Sequence, residues 1–213
     1  MFVLLLGRNV FGERRNAVHV IQAPTGGRSE KKIKLGVVLG FDGLWGKTST
    51  SDVLARGLGY SGGLSVQTRL GDLYRGYFAT SYQYLRLGRP FDSSGQLQEP
   101  SPANVDQSMK TVGFTLLASY LIERGQEATA PFWWIDFGGE YLLPLSAQQT
   151  VSGSTSSFTA GKGLLALFGA TAEFQMNANY DVTASLQGIY NLAGSSDSRF
   201  FGLRVLGGVT MRI

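Results

Sequence analysis

The chain has 213 residues, enough for one domain of ordinary size. Charged residues make up 16% of it, against roughly 25% in an average soluble domain, and its 29 glycines are nearly twice the average share of about 7%. Cysteine is absent and histidine occurs once, at His19, which excludes disulfides, thiolate metal sites and histidine-rich metal centres. With 43% apolar residues, the composition fits neither a helical membrane bundle nor a disordered chain.

Residues 1–32 differ from the rest of the chain in charge. They hold six basic and two acidic residues, a net charge of +4, so the remaining residues are neutral overall. No basic face for nucleic acid is therefore expected on the main part of the chain. We interpret 1–32 as a basic N-terminal tail or the remnant of an export signal, followed by one domain over 33–213.

From Ile33 onward, apolar and polar residues alternate with a period of two, the period of a β-strand. The even positions from Val112 to Ile122 are all apolar, whereas the odd positions between them are Thr, Gly, Ser and two Leu. Eight such segments are predicted, at about 33–47, 54–70, 73–86, 110–123, 132–144, 163–176, 180–191 and 199–213.

The predicted strands are two to three times longer than the usual strand of about 5–6 residues. Twelve residues at about 3.3 Å each, tilted by about 40°, cover roughly 30 Å, the thickness of a bilayer core. A soluble barrel that binds a hydrophobic ligand would alternate in the same way, with its apolar face inward. The period alone therefore leaves the direction of the two faces open.

Two features of the pattern favour a membrane barrel. Tight turns near 70–73 and 177–179 alternate with long polar connections at 86–109 and 144–162, as in transmembrane barrels. The polar faces also carry charges of both signs, which can pair in a narrow lumen but would be costly around an apolar ligand. This predicted lumen charge network consists of Asp42, Arg69, Arg75, Asp136, Glu140, Glu173, Arg204 and Arg212.

Aromatic residues near the strand ends are the third such feature. Rings with one apolar and one hydrated end suit the two membrane interfaces, where they form girdles. The predicted girdle consists of Trp45, Tyr60, Tyr74, Tyr82, Tyr84, Trp133, Tyr141, Tyr180, Tyr190 and Phe201. An eight-stranded barrel leaves an interior just wide enough for side chains to fill it.

In architecture, residues 33–213 resemble the small eight-stranded bacterial outer-membrane β-barrels of the OmpA-transmembrane-domain, OmpX and OmpW type. The final segment, 201–213, resembles the C-terminal signal read by the outer-membrane barrel assembly machinery, although that signal usually ends on an aromatic residue rather than Ile213. The resemblance implies an all-β, antiparallel up-and-down transmembrane barrel in the outer membrane of a Gram-negative envelope. It also implies outer-membrane lipid, lipopolysaccharide and the assembly machinery as partners.

No enzymatic function is predicted. A general base near neutral pH is most simply a histidine, and residues 33–213 contain none. Asp136 and Glu140 are four residues apart on one strand, about 13 Å, too far for a shared-proton pair. The pattern G-x-G-x-x-G at 57–62 lies inside an alternating segment without a following helix, so nucleotide binding is not expected.

We therefore expect a monomeric, non-enzymatic outer-membrane barrel without cofactor or metal. Its expected role is structural, or surface interaction through the connections at 86–110 and 144–162, because binding residues tend to lie on loops that a rigid scaffold holds in place. Arg86, Arg89 and Lys110 are candidates for contacts with lipopolysaccharide phosphates. The alternatives are a narrow channel for ions or small apolar solutes and a soluble barrel that binds a hydrophobic ligand.

Overall fold

The computed structural model describes most of the chain after residue 32. The described ranges are 33–48, 51–88, 105–123, 130–151, 153–157, 159–160, 162–192 and 200–213. The predicted tail at 1–32 lies outside them. In the described part, no helix has the length and hydropathy needed to cross a membrane.

The described residues form β-strands joined by short turns and longer connections. The strands are β1 (Ile33–Thr48), β2 (Ser51–Arg69), β3 (Tyr74–Leu87), β4 (Val105–Glu123), β5 (Phe132–Val151), β6 (Ser154–Ser157), β7 (Gly163–Gln175), β8 (Tyr180–Asn191) and β9 (Phe200–Arg212). All eight predicted strands are present, and their bounds differ from the predicted ones mainly where β4 and β5 extend further.

Eight of these strands close into an antiparallel up-and-down barrel, which confirms the predicted fold class. Strands that follow each other along the barrel pair side by side, and β1 pairs with β9 to complete the circle. The short strand β6 pairs only with the end of β5. Closure gives the backbone groups of the barrel strands partners on both sides, the condition that lipid imposes on any strand that spans it.

The two ends of the barrel differ. We call the turn end the one that holds the chain end at Ile213 and the tight turns at 70–73 and 176–179, and the loop end the opposite one. At the second turn, the Asn177 side chain accepts hydrogen bonds from the backbone N–H groups of Asn179 (2.8 Å) and Tyr180 (2.9 Å). Asn177 thus fixes this turn locally, as Asn does in Asx-turns.

The expectation that 144–162 is a loop throughout was wrong. Strand β5 continues to Val151, where it pairs with Val105 of β4, and β6 then pairs back onto it. The connection expected at 86–110 is shorter for the same reason, since β4 begins at Val105. The outward positions of these extensions are polar, while Leu145, Ala147 and Val151 of β5 alternate with polar residues. Pro144 and the Ser- and Gln-rich composition favour a loop, but the hydrogen-bonded ladder shows that the strands continue past a register shift beside Pro144.

The apolar side chains point outward. Phe114, Leu116 and Val209 are 38%, 67% and 52% exposed, whereas Asp42 and Glu140 are almost completely buried. The sequence period had left this choice open, and the structure selects the orientation of a transmembrane barrel. The alternative of a soluble barrel with an apolar interior for a hydrophobic ligand is wrong, because its two faces would have to be exchanged.

The interior is not polar throughout, which the sequence analysis did not anticipate. Near the loop end, inward side chains pack into an apolar layer across the lumen. This leucine layer consists of Leu44, Leu85, Leu117, Leu142, Leu165, Leu167, Ile189 and Phe200. Buried polar side chains flank it on the loop-end parts of the strands too, at Gln83, Thr111 and Asn191.

Candidate functional site: the lumen and the two barrel ends

Arg204 organises the charges next to the leucine layer. Its guanidinium donates from Nε to Asp42 on the neighbouring strand β1 (2.7 Å) and from Nη1 to Glu140 across the lumen on β5 (2.7 Å). Gln83 and Thr115 donate to the other oxygen of Glu140 at 2.5 and 2.9 Å. Every member is buried, so each charge has its partner in place of water.

Arg75 organises a second cluster closer to the turn end. It donates to Glu173 on β7 (2.9 Å) and contacts Asp136 on β5 (3.3 Å), while its Nε donates to Ser119 (3.1 Å). The Arg75 guanidinium also lies 4.5 Å from the ring centroid of the buried Trp134, a cation–π contact. Asp136 and Glu140 therefore serve different arginines, as their four-residue spacing requires.

Lys34 and Asp181 belong to the same network and were missing from the prediction. Lys34 Nζ lies 2.6 Å from Glu173 and 2.8 Å from Asp181, and Asp181 also pairs with Arg212. A signal for both existed in the sequence. Lys34 lies an even number of residues from Asp42 on β1 and so points to the same side of the strand, and Asp181 is on the polar face of β8.

The structure places all eight predicted network residues at inward positions. Six of them are buried, and the other two, Arg69 and Arg212, are half-buried toward the turn end. Arg212 pairs with Asp181, and Arg69 borders a cavity that Lys34, Arg75 and Glu173 of the network also border. With Lys34 and Asp181 added, the described inward charges are five acidic and five basic, so the lumen is neutral overall.

The interior leaves little room for a solute. A central cavity of about 20 Å³ is bordered by Ser65, Gln67, Arg75, Asp136, Thr171, Ser185, Gln187 and Thr210, among others. A lower cavity of about 10 Å³ lies toward the turn end. Each volume is on the scale of one or two water molecules. Salt bridges and the leucine layer occupy much of the described interior.

All ten predicted girdle residues lie at outward positions. Tyr74, Trp133 and Tyr180 are toward the turn end, and the other seven are toward the loop end. Several rings contact one another across strands. Ring centroids are 5.9 Å apart for Trp45 and Phe201 and 5.2 Å apart for Tyr60 and Tyr84. Tyr120, which the prediction omitted from the girdle, lies 5.4 Å from Tyr74.

Beyond the loop-end aromatics the surface becomes polar. One row of paired residues crosses β3, β4 and β5 at Tyr84, Lys110 and Ser146, and we call it the aromatic row after Tyr84. The strands continue past it into the three-stranded extension of β4, β5 and β6. Arg86 donates to both carboxylate oxygens of Asp106 (3.1 and 2.7 Å) at the base of this extension. Arg89, the third candidate for phosphate contacts, lies outside the described residues.

The residue arrangements of a metal site and of a phosphate-binding loop are absent from the described part of the chain. No group of three or more His, Cys, Asp or Glu there is arranged to hold a metal ion. The glycines of the 57–62 pattern lie within β2, and the space beside Gly57 is closed by the backbone of Arg86. This glycine serves close strand packing rather than phosphate binding.

Comparisons with known proteins return similar solved structures. No family model matches the sequence, and no curated protein matches it. Solved structures that are similar include Neisserial surface protein A of Neisseria (15% identity, 85% of this chain and 97% of that one, TM-score 0.47). Ail of Yersinia pestis is similar too, with 14% identity over 85% of this chain and 99% of that one and a TM-score of 0.41. The N-terminal β-barrel domain of Pseudomonas aeruginosa OprF has 17% identity over 81% of this chain and 96% of that one and a TM-score of 0.39.

The geometry of the chain itself identifies its class. A closed antiparallel circle of eight strands encloses a neutral network of ion pairs. Its outer surface is apolar, with aromatic residues toward both ends. Water would be a poor solvent for that surface and lipid a poor solvent for the interior. The chain has the architecture of the small eight-stranded outer-membrane β-barrels and is a transmembrane β-barrel.

Proposed function

We propose that this protein is a non-enzymatic outer-membrane barrel whose task is to hold its loop-end surface outside the cell. The observation that carries the proposal is that the interior is largely occupied by side chains while three strands extend in an ordered way beyond the barrel. Ion pairs and the leucine layer occupy the lumen, while β4, β5 and β6 extend past the aromatic row as a hydrogen-bonded platform. Five residues of strand reach about 16 Å beyond that row.

The platform has the chemistry of a surface exposed to water. Its outward positions on β4 and β5 include Ser108, Gln148 and Thr150, and all four residues of β6 are exposed. The hydroxyls of Thr150 and Thr155 are 3.0 Å apart across the β5–β6 pair. Such a surface supplies neutral donors and acceptors on a rigid scaffold, where binding residues commonly lie.

The lipid and assembly partners are part of the same proposal. Lys110 is exposed in the aromatic row and Arg86 is half-buried beside it, so both lie at the level where we expect lipopolysaccharide phosphates; Arg89 would add a third cation. Strand β9 presents Phe201, Val205 and Val209 on its outer face, the alternation we expect the barrel assembly machinery to read. We propose that the barrel works as a monomer.

Cysteine labelling tests the location and orientation, because the natural chain has no cysteine. The experiment compares Ser156→Cys on the platform with Ala178→Cys in a turn at the opposite end. We expect a membrane-impermeant maleimide to label the first in intact cells and the second only after the outer membrane is permeabilised. Labelling of Ala178→Cys alone in intact cells would reverse the orientation, and equal labelling in lysate supernatant would refute the membrane location.

The channel alternative makes a different prediction. The two described cavities have volumes of about 20 and 10 Å³, and neither has space for a hydrated ion. We therefore expect single-channel recordings of the refolded protein in planar bilayers to show no stepwise conductance. Regular conductance steps from a sample that is homogeneously folded would favour the channel instead.

A further inference from the structure

Some buried polar atoms in the lumen have no protein partner. They include Nε1 of Trp134, Oε1 of Gln187 and Oγ1 of Thr210, on residues that are each about 98–99% buried. An unpaired buried donor or acceptor costs about 1–3 kcal/mol, so such groups usually have a partner. Their positions indicate what that partner is.

Each of these three residues borders a cavity. Trp134 borders the lower cavity, and Gln187 and Thr210 border the central one. Gln67 and Arg75 border both cavities, so the two adjoin through a shared wall. The half-buried Arg69 borders the lower cavity at the turn end, where β2 finishes.

We propose that the lumen is a blind hydrated shaft: ordered water enters at the turn end, occupies both cavities and stops below the Arg204 cluster and the leucine layer. One water in the lower cavity accepts a hydrogen bond from the indole N–H of Trp134. The same water can donate a hydrogen bond to Glu173, which borders the same space. Water in the central cavity donates a hydrogen bond to Gln187 Oε1 and forms another with the Thr210 hydroxyl. The volumes of about 10 and 20 Å³ suit single waters and are too small for a larger solute.

The charges disfavour a cation in this space, and its size disfavours an anion. The lower cavity is bordered by Lys34, Arg69, Arg75 and Glu173, so a cation would face three basic groups, and its volume of about 10 Å³ suits one water. Glu173 is already bonded to Lys34 and Arg75, one at each oxygen. A neutral molecule that both donates and accepts fits this mixture. The inference concerns the interior and does not depend on what the loop end binds.

Nuclear magnetic resonance tests the lower cavity directly. In ¹⁵N-labelled protein folded in micelles, Trp134→Phe assigns the Trp134 indole resonance. We expect that N–H to show a cross-peak to water although the side chain is 99% buried. A folded sample in which this resonance is assigned but has no water cross-peak would overturn the proposal for this cavity.

A matched pair of substitutions tests the central cavity. Thr210 and Thr111 are both buried with an unpaired hydroxyl, but Thr111 borders neither of the two cavities. Thr→Val keeps the shape and removes the hydroxyl. We expect Thr210→Val to lower the urea midpoint because it loses a water hydrogen bond, and Thr111→Val to leave it unchanged or raise it. A rise for Thr210→Val equal to that of Thr111→Val would show a dry cavity.

Discussion

At the scale of single residues, the lumen shows why buried charges require complete pairing. Arg204 is 3% exposed and bonds two carboxylates from different strands. Removing one partner of a buried pair leaves the other charge without solvent or counter-ion, which costs more than the intact pair contributes. Exposed pairs lack this asymmetry, because water replaces the missing partner.

Substitution of Arg204 tests this difference. Arg204→Met keeps much of the side-chain volume but leaves Asp42 and Glu140 uncompensated, and we expect it to lower the free energy of unfolding by about 3–5 kcal/mol. The matched control is Arg86→Met, whose pair with Asp106 is partly exposed and should cost under about 1 kcal/mol. The measurement is urea unfolding in lipid vesicles, followed by tryptophan fluorescence. Equal small losses for Arg204→Met and Glu140→Gln would mean that the network does not stabilise the barrel.

At the scale of the strands, inward glycines allow neighbouring strands to approach closely in a narrow cylinder. At Gly169 on β7, an added Cβ would lie 2.2 Å from the backbone oxygen of Leu186 on β8, so the backbone would have to move. At the outward Gly207 on β9, an added Cβ would meet nothing within 4 Å. The same substitution therefore has opposite consequences on the two faces.

Alanine at these two glycines is the test. We expect Gly169→Ala to lower the free energy of unfolding by about 1–3 kcal/mol, as overpacking does. Gly207→Ala should be neutral or stabilise by about 0.4–1 kcal/mol, because it restricts the unfolded chain without strain in the folded one. Thermal unfolding in one detergent compares the two variants. A Gly169→Ala variant as stable as Gly207→Ala would contradict the packing described here.

At the scale of the whole molecule, the exchange of inside and outside distinguishes this barrel from a soluble one. Leu116 is near the middle of β4 and is 67% exposed, while the inward Leu117 beside it is buried. An exposed surface of this kind is stable only in a bilayer or detergent. Closure of the cylinder then supplies the backbone partners that lipid cannot.

A charge placed on the outer surface tests the membrane depth of the barrel. Leu116→Arg should cost about 2–4 kcal/mol, the range found for cations at the bilayer midplane. Ser108→Arg, outward on the same strand but beyond the aromatic row, should cost little. The measurement is the folded fraction in vesicles, seen as the band whose gel mobility changes on heating. Equal folding of both variants would mean that Leu116 does not face lipid.

The sequence alone determined the strands, their number and the up-and-down order, because a period of two is a local property that survives without knowledge of the partner strand. It also determined which residues share a face, so the charges from Asp42 to Arg212 could be grouped before any contact was known. It missed the extension of β4, β5 and β6, because Ser, Gln, Gly and Pro in these segments favour a loop, although Leu145, Ala147 and Val151 alternate with polar residues.

Only the tertiary structure decided the direction of the faces, the pairing of the charges and the filling of the lumen. Alternation is the same whether the apolar face points in or out, and a closed barrel is compatible with either direction. The side toward which the sheet curves fixes the choice, and it places Asp42 inside and Phe114 outside. Arg204 pairs with Asp42 on the neighbouring strand, although 162 positions separate them in sequence, and with Glu140 across the lumen. The leucine layer likewise joins inward residues from distant strands, because strand tilt and register, which no local pattern encodes, set their common height.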